Sequence, residues 1–367
     1  MDYSWQQSDW PDFTYDADAL EGYLHRISQK SGRISGLVEG LPQDMRDETL
    51  IDILVSEAIK TSEIEGEYLS RKDVMSSIRN NLGLLKEAEK SGDKRAEGVA
   101  AMVIAARNDY KAPLSDDMLF EWHHMLMQGA WRVKIGAWRD HSEPMQVVSG
   151  AVGKQIVHYE APPSHDVPGL MAQYIDWFNE TAPDGSKPLT YAPIRSAIAH
   201  LYFETIHPFE DGNGRIGRTL SEKALSQGLG YPILISLSKA IQDNKKAYYE
   251  ALKVAQRSNE ITEWLAYFLD LCIQAQSNSE IQIEFTLRKV RFFDEFKETL
   301  NERQLKIIKR MFDEGVDGFE GGMSAKKYTI ITGASKPTAT RDLQNLLEQG
   351  AFKTTGGGRS TRYWLNL

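Results

Sequence analysis

The amino-acid sequence predicts a mainly α-helical protein with one β-hairpin near its middle and a C-terminal module of three short helices and a second hairpin. Apolar residues recur at helical spacing through most of the 367 residues. Residues 131–163 are richer in Gly, Val and Pro and alternate weakly, which favours a hairpin. Near the end, two short runs of strand-forming residues flank a Gly356-Gly357-Gly358 turn.

The N-terminal part is predicted to form several helices. The first covers residues 16–38, and its apolar face consists of Leu20, Tyr23, Leu24 and Ile27. Two or three more helices run to about residue 85. A polar stretch over residues 86–95 predicts a loop, and the Ala-rich residues 96–110 predict another helix.

The central part contains the strongest helical pattern. It spans residues 193–205, with a core face of Ile194, Ala197, Ile198 and Leu201. A turn at 212–214 follows, and helical spacing resumes directly after it. Helices then continue through residue 281 and on to about residue 298.

The C-terminal residues change character. Short helices are predicted over residues 304–312 and 325–332. Ser335 reads as the N-cap of a third, which continues to Gln349 and buries Leu343, Leu346 and Leu347. Helix, helix, helix and hairpin in this order resemble a winged helix-turn-helix. From residue 336 on there are five positive and two negative side chains, so the module is locally basic. Lys336, Thr338, Thr340 and Arg341 on the third helix, with Arg359 and Arg362 on the wing, would face duplex DNA. Docking of a protein is an equal alternative.

Composition excludes several classes of protein. A net charge of −9 argues against coating of nucleic acid by the whole chain. The single cysteine, Cys272, allows no disulfide within the chain and reads as a small core residue, which suits a reducing cytosol. There is no secretory signal pattern and no apolar run of the ~20 residues that a membrane span needs. We expect a cytoplasmic protein without a membrane partner.

The stretch HPFEDGNGRIGR, residues 207–218, carries the chemistry. His207 is a base whose unperturbed pKa lies near neutral pH. Asp211 is a hard oxygen ligand that suits Mg²⁺. Gly212, Asn213 and Gly214 can turn sharply and present backbone N–H groups at a helix N-terminus, which favours anion binding. Arg215 and Arg218 lie three residues apart on one helix face and can both reach a polyphosphate.

This stretch resembles the Fic family motif HxFx(D/E)GNGRxxR at every specified position. The segments 136–139, 157–163 and 248–252 extend the resemblance over roughly residues 115–270. It implies a helical domain that transfers AMP from ATP to a protein hydroxyl, with Mg²⁺ held by Asp211 and His207 as the base. It also implies an anion hole at 212–214, phosphate contacts by Arg215 and Arg218, a flap at Val157, His158 and Tyr159, and a nucleotide base side at Asn244, Tyr248 and Tyr249.

A second segment, TSEIEG at residues 61–66, is similar to the family's inhibitory motif (S/T)xxxE(G/N). The residues before it follow helical spacing, and Gly66 is a plausible helix stop. The resemblance implies that Glu65 reaches Arg218 and takes the place of the γ-phosphate. A carboxylate imitates phosphate for a guanidinium, so the chemistry is sound.

These observations lead to one expected organisation and one leading function. We expect an N-terminal helical region over 1–95 with an inhibitory helix at about 49–66, a catalytic domain over 96–275, a linker helix over 276–300 and a winged-helix-like domain over 301–367. The leading function is transfer of AMP to Ser, Thr or Tyr of a protein, the chain itself included, in a form that Glu65 inhibits and that resembles family members which associate as homodimers. The alternatives are AMP removal and a nucleotide-sensing DNA-binding regulator.

Overall fold

The computed structural model describes residues 2–84, 92–130, 133–149 and 156–367, and it gives the side chains of all of these except residues 149 and 359. Much of the loop predicted over residues 86–95 and the tip of the central hairpin therefore lie outside the described residues, as does the side chain of the wing residue Arg359. The chain divides into two compact units. One comprises Met1–Glu39 and Ile53–Ser279, and the other comprises Gly40–Asp52 and Glu280–Leu367.

The mainly helical fold predicted from the sequence is confirmed. The helices from the N-terminus to the motif are α1 Glu21–Glu39, α2 Gln43–Ile64, α3 Arg71–Asn81, α4 Lys94–Asn108, α5 Asp116–Leu126, α6 Val167–Glu180 and α7 Ala192–Ile206. Those after it are α8 Asn213–Leu229, α9 Leu237–Asp243, α10 Lys245–Ala255, α11 Thr262–Phe296, α12 Glu302–Phe312, α13 Ala325–Thr332 and α14 Lys336–Glu348. The strands are β1 Gln146–Ser149, β2 Ile156–Glu160, β3 Phe352–Thr355 and β4 Arg362–Leu365.

Helix α7 forms the centre of the first unit, and all of its residues except Pro193 are buried. Pro193 lies in its first turn, where a missing N–H has no cost. The indole of Trp264 on α11 donates to the Ala197 carbonyl (2.9 Å), so a neighbouring helix satisfies even its backbone. The predicted core faces are largely as expected. Ile194, Ala197, Ile198, Leu201, Leu20 and Ile27 are buried, whereas Tyr23 and Leu24 are half-buried.

The central hairpin is shorter than the stretch of residues 131–163 that predicts it. Strands β1 and β2 pair antiparallel, with Gln146 opposite Glu160 and Val147 opposite Tyr159. The register then shifts, because Val148 pairs with Val157 and leaves His158 as the extra residue of a bulge. Beyond β2 the Ala161 N–H donates to the Met145 carbonyl (2.9 Å), which closes the base of the hairpin.

The C-terminal part of the second unit has the predicted order of elements. Ser335 caps α14 and accepts a hydrogen bond from the Thr338 N–H. Leu343 and Leu346 are buried, but Leu347 is only half-buried, because the helix turns it towards the rim of the core. Strands β3 and β4 pair from Phe352 opposite Leu365 to Thr355 opposite Arg362. Met323 adds a single bridge to Tyr363 on the other edge of β4.

One buried carboxylate joins three helices of this second unit. Asp342 on α14 accepts from Arg303 Nε on α12 (2.8 Å) and from the Tyr328 hydroxyl on α13 (2.8 Å). Burial would raise the pKa of Asp342, but these donors outweigh it and lower that pKa. Among the described residues, no helix combines the length and apolar character that a membrane crossing requires.

Candidate active site

The motif begins where α7 ends, and its histidine has an unusual backbone conformation. His207 lies in the left-handed region (φ 51°, ψ 58°) and is the only described residue other than glycine with a positive φ. Such a conformation is costly for a residue with a Cβ. It turns the chain sharply from α7 into the loop that precedes α8, and it sets the imidazole at the rim of a cavity.

Arg139 holds this turn in place. Its side chain is buried and donates to the carbonyls of His207 (2.8 Å), Pro162 (2.6 Å) and Ile206 (3.2 Å). Its backbone N–H donates to the Pro208 carbonyl (3.0 Å). Burial lowers the pKa of Arg139 to about 10, so the guanidinium remains charged at neutral pH. From the sequence, Arg139 was only part of a family-like segment, and its bracing of the histidine was not predicted.

The loop between His207 and α8 is closed by Asn213. The Phe209 N–H donates to Asn213 Oδ1 (2.9 Å), and Asn213 Nδ2 donates back to the Phe209 carbonyl (2.8 Å). The side chain of Asn213 therefore braces the loop, and only backbone groups remain for the anion hole predicted here. Gly212 caps α8 at φ 85°, a conformation that favours glycine. The first N–H groups of α8 have no acceptor within the helix, and Gly212, Asn213 and Gly214 line the cavity.

Arg218 on α8 is bound by residues of the predicted inhibitory motif. Its Nη2 donates to Glu65 Oε1 (2.8 Å) and to the Thr61 carbonyl (3.0 Å), and its Nε donates to Thr61 Oγ1 (2.9 Å). The guanidinium is 1% exposed. Burial alone would lower the pKa of Arg218, but the Glu65 carboxylate outweighs it and raises that pKa. Gly66 has φ 83°, so it ends α2 as the sequence indicated.

A second carboxylate of the same segment holds the other arginine. Arg215 Nη1 donates to Glu67 Oε2 at 2.7 Å, and the Arg215 side chain is 4% exposed. Sequence reasoning missed Glu67, because the inhibitory pattern ends at Gly66. The signal available was the acidic residue two positions after Glu65. Both arginines of the motif are therefore paired with carboxylates from one short stretch.

Gly214 allows this close approach. A Cβ at this position would collide with the Glu65 carboxylate and would lie 3.0 Å from Arg218 Nη1. Any side chain here would therefore have to push Glu65 away from the start of α8. The absence of a side chain brings a negatively charged group close to the helix N-terminus, where the helix dipole favours it.

The Asp211 carboxylate is about half exposed and lines the cavity. Its Oδ1 accepts from the Gly212 N–H (2.6 Å) and lies 3.5 Å from Arg215 Nη2. The described residues hold no cluster of three metal-ligating side chains. One accessible carboxylate fits Mg²⁺ nonetheless, because this ion usually combines one or two carboxylates with substrate phosphates and water.

His123 on α5 fixes the backbone of Asp211. The Gly136 N–H donates to His123 Nδ1 (2.9 Å), so Nε2 carries the proton and donates to the Asp211 carbonyl (3.2 Å). The ring stacks on Phe209 with centroids 4.2 Å apart. Burial lowers the pKa of His123 to about 4, which keeps the imidazole neutral. No sequence pattern singled out this histidine.

The cavity has a volume of about 680 Å³ and is lined by motif residues, by residues 64–66 of the predicted inhibitory segment and by α10. Tyr248 and Tyr249, two of the residues predicted for the nucleotide base side, line it. Tyr248 is buried, however, and its hydroxyl lies 2.7 Å from His200 Nε2. Asn244 is not among the lining residues, because its side chain caps α10 and accepts from the Ala247 N–H.

The predicted flap residues point in different directions. Tyr159 is buried and its hydroxyl donates to the Thr205 carbonyl (2.5 Å) at the end of α7. His158 lines the cavity together with Val147 and Val148 of β1. Val157 is 45% exposed and is not part of the lining. The hairpin is thus anchored beside the histidine by Tyr159 and presents its outer residues to solvent.

A larger groove of about 800 Å³ lies on the other side of the hairpin base and contains no motif residue. It is lined by Trp5, Phe120 and Trp138 together with several exposed charged side chains. Size alone therefore does not locate the site, whereas the convergence of titratable and phosphate-binding groups does.

Comparison with known proteins identifies the domain that contains this cavity. Residues 113–225 match the model of the Fic/DOC family. The chain carries a Fic domain. Residues 3–84, which include the segment TSEIEG, match a domain of unknown function (DUF4172).

Two curated relatives of the chain are named adenylyltransferases. It is 29% identical over 185 residues to protein adenylyltransferase Fic of Drosophila willistoni, which covers 48% of this chain and 35% of the relative. It is 34% identical over 99 residues to a probable protein adenylyltransferase of Aquifex aeolicus, which covers 27% of each chain. The chain thus spans about a third or less of the length of these relatives.

Solved structures support the fold. A Fic family protein from Desulfovibrio desulfuricans G20 matches with a TM-score of 0.57 and 23% identity, over 97% of this chain and 98% of that one. A Fic domain containing signaling protein from Bacteroides thetaiotaomicron matches with a TM-score of 0.53 and 17% identity, over 69% of this chain and 95% of that one.

Proposed function

We propose that the chain transfers AMP from ATP to a Ser, Thr or Tyr hydroxyl of a protein, with a second copy of itself as one substrate. The observation that carries the proposal is the cavity in which His207, the start of α8 and Arg218 converge. The names of the two adenylyltransferase relatives support the same reaction.

Each group has a task in this reaction. The backbone N–H groups at the start of α8 receive phosphate oxygens, as helix N-termini commonly do. Arg218 lines the cavity and binds the polyphosphate through its guanidinium fork. Arg215 is not part of the cavity lining and joins it once it is released from Glu67. His207 takes the proton of the acceptor hydroxyl while its oxygen attacks the α-phosphorus in line and pyrophosphate leaves. Most of the catalysis then comes from positioning and charge stabilisation.

Asp211 would hold Mg²⁺, because its carboxylate is accessible and its backbone is fixed by His123. Bound Mg²⁺ supplies charge neutralisation for the phosphates during the transfer. The outer edge of the hairpin would hold the acceptor protein by strand addition, which reads backbone groups more than side chains. Exposure of Ile156 and Val157 on β2 supports this surface as the docking edge.

Glu65 keeps the enzyme in an inhibited form. Its carboxylate occupies Arg218, and Glu67 occupies Arg215, so a triphosphate must displace two ion pairs before both arginines can bind it. Both carboxylates lie in the short segment directly after α2, so one movement of this segment frees both guanidinium groups. Lys245 Nζ also donates to the Ile64 carbonyl, which ties this helix end to α10.

A second candidate function for the C-terminal module is binding of duplex DNA. Lys336 and Arg341 on α14 and Lys353 on β3 are exposed, which supports a basic surface at the third helix and the wing. In this proposal the winged-helix-like module contacts phosphates through these cations and reads a groove with α14. Docking of a protein on the same face is the alternative.

Incubation with α-labelled ATP and Mg²⁺, without any partner protein, tests the proposed reaction. Incorporation of label into the chain supports AMP transfer, and dependence on protein concentration shows that one copy modifies another. Loss of AMP from a pre-modified sample, without incorporation, would instead establish AMP removal. Neither reaction, together with sequence-specific retention of DNA, would establish a nucleotide-sensing regulator.

A further inference from the structure

A buried carboxylate lies next to the proposed base. Glu204 is on the last turn of α7, three residues before His207, and its side chain is 6% exposed. Its Oε2 is 3.7 Å from His207 Nδ1. Among the described residues, neither His207 Nδ1 nor Glu204 Oε1 has a hydrogen-bond partner, although both atoms are buried. The oxygen nearest Nδ1 is Oε2 and the oxygen without a partner is Oε1, so each of these adjacent buried side chains has one unsatisfied polar atom, which requires an explanation.

Gly217 on α8 leaves room for this carboxylate. A Cβ at Gly217 would lie 2.5 Å from Glu204 Oε1 and 3.3 Å from the Phe203 ring. Glycine at this position thus lets α8 pack against the carboxylate. The residue is part of the motif but has no specified identity in it, so the sequence gave no reason to single it out.

Glu204 is charged although it is buried. Burial would raise the pKa of Glu204, but the neighbouring His207, His200 and Arg218 outweigh it and lower that pKa. Other ionisable side chains interact electrostatically with Glu204. They lie on five elements: His200 on α7, Arg218 on α8, Tyr248 and Tyr249 on α10, Tyr159 on β2 and Tyr174 on α6.

The proposed base needs a proton on Nδ1. His207 can accept the hydroxyl proton at Nε2 only if the other ring nitrogen carries its own. That Nδ1–H requires an acceptor, and the carbonyls of Ile206 and His207 already accept from Arg139. Glu204 is the carboxylate within reach, and a small rotation of the imidazole shortens 3.7 Å to a hydrogen bond.

We propose that Glu204 is a positioning residue for His207, accepting its Nδ1–H and stabilising the imidazolium that forms during transfer. The inference rests on the proposed AMP transfer. In that step the bond from the hydroxyl oxygen to the α-phosphorus forms, the bond from that phosphorus to the pyrophosphate oxygen breaks, and the hydroxyl proton moves to Nε2. The Nδ1 proton stays on the ring, and the Nε2 proton later passes to solvent. The carboxylate remains ionised throughout, as an orienting group of this kind does.

The kinetic test compares Glu204→Gln with its parent in a Glu65→Gly background, which removes differences in inhibition. We expect kcat to fall on the order of 10²-fold with little change in the KM for ATP. The acidic limb of the kcat profile moves to lower pH by about one unit, because removing a nearby negative charge disfavours the imidazolium. Glu204→Asp should restore part of the rate. An unmoved acidic limb overturns the proposal, even if kcat falls.

Glu222→Gln is the matched control. Glu222 on α8 is a partly buried carboxyl group, and burial and the neighbouring Glu57 raise its pKa well above the usual range. Its amide variant is expected to keep both the rate and the acidic limb of the parent. A fall in kcat equal to that of Glu204→Gln would show that loss of any buried carboxyl in this core is sufficient.

A titration that needs no activity separates this proposal from the proposed reaction. The Cε1–H resonance of His207 is followed by NMR against pH, with assignment from a His207→Gln sample. In Glu204→Gln its midpoint should fall by about one pH unit, and in Glu222→Gln it should not move. An equal midpoint in all samples refutes the positioning role. The expected shift in a protein that transfers no AMP would uphold the Glu204–His207 pair and refute the proposed reaction.

Discussion

Replacing Glu65 with glycine should raise self-modification, and the structure sets the size of the effect. The bond from Arg218 Nη2 to Glu65 Oε1 is 2.8 Å long, with the guanidinium 1% and the carboxylate 29% exposed. A hydrogen bond to a charged group of this kind contributes about 1.5–3 kcal/mol. Since each 1.4 kcal/mol corresponds to about a tenfold change in an equilibrium constant, productive binding of ATP should rise about 10- to 100-fold.

An opposing effect on folding is smaller. Glycine in a helix interior costs about 1 kcal/mol, but Glu65 follows Ile64, the last residue of α2, so the penalty should be less than that. The remaining pair between Glu67 and Arg215 places the single variant towards the lower end of the range. Adding Glu67→Gln to Glu65→Gly should therefore increase incorporation further.

The assay is incorporation of labelled AMP by the wild type, Glu65→Gly, Glu65→Gln and the double variant Glu65→Gly, Arg218→Ala. Glu65→Gln keeps the shape but not the charge, so its activity should lie between those of the wild type and Glu65→Gly. The double variant should lose the gain, because no guanidinium remains to be freed. An unchanged or lower signal in Glu65→Gly would refute inhibition by this carboxylate and favour a role in AMP removal.

Four further outcomes are expected. His207→Ala should lower transfer by about 10²–10⁴-fold while binding of labelled ATP persists, and near-normal transfer would exclude His207 as the base. Asp211→Ala should weaken the response of transfer to added Mg²⁺, whereas an unchanged metal titration would exclude it as a ligand. Glu222→Gln should raise the melting temperature more at pH 7.5 than at pH 4.5. The pKa of Glu222 in the folded state is raised above its ordinary value of 4.5, so the stability that the protonated group contributes is present below pH 4.5 and is lost as pH rises through the folded-state pKa. The full chain should retard duplex DNA at low salt with a slope of roughly −0.9 per phosphate contact, and Lys336→Ala with Arg341→Ala should flatten that slope; no retardation at any salt concentration favours protein docking.

Local signals explain what could be predicted from the sequence. The cap at Ser335 and the end of α2 at Gly66 depend on side chains and φ angles within a few residues, and both lie where the sequence indicated them. The core face of α7 follows from spacing alone. The contact from Glu65 to Arg218 could be predicted only from the resemblance, because no local pattern in the sequence encodes this pairing.

Long-range packing accounts for the rest. Arg139 reaches its carbonyl acceptors in segments up to 68 residues away, and no periodicity encodes such a contact. His123 and Asp211 are 88 residues apart in the chain. Asn213 could be read either as a turn residue or as an anion ligand, and only the structure shows that its amide is engaged by Phe209. Asn244 similarly serves as a helix cap.

The left-handed backbone conformation at His207 lowers the stability of the fold at the residue that is proposed to act as the base. A non-glycine residue in this region costs on the order of 1–3 kcal/mol, which is a sizeable part of the 5–15 kcal/mol by which a typical domain is stable. Glycine or asparagine at 207 would accept φ 51° more readily, so either variant should be more stable but would lack the proposed base. Selection for thermal stability alone would thus favour replacement of His207. Screens for thermostable variants of this chain should therefore measure activity as well.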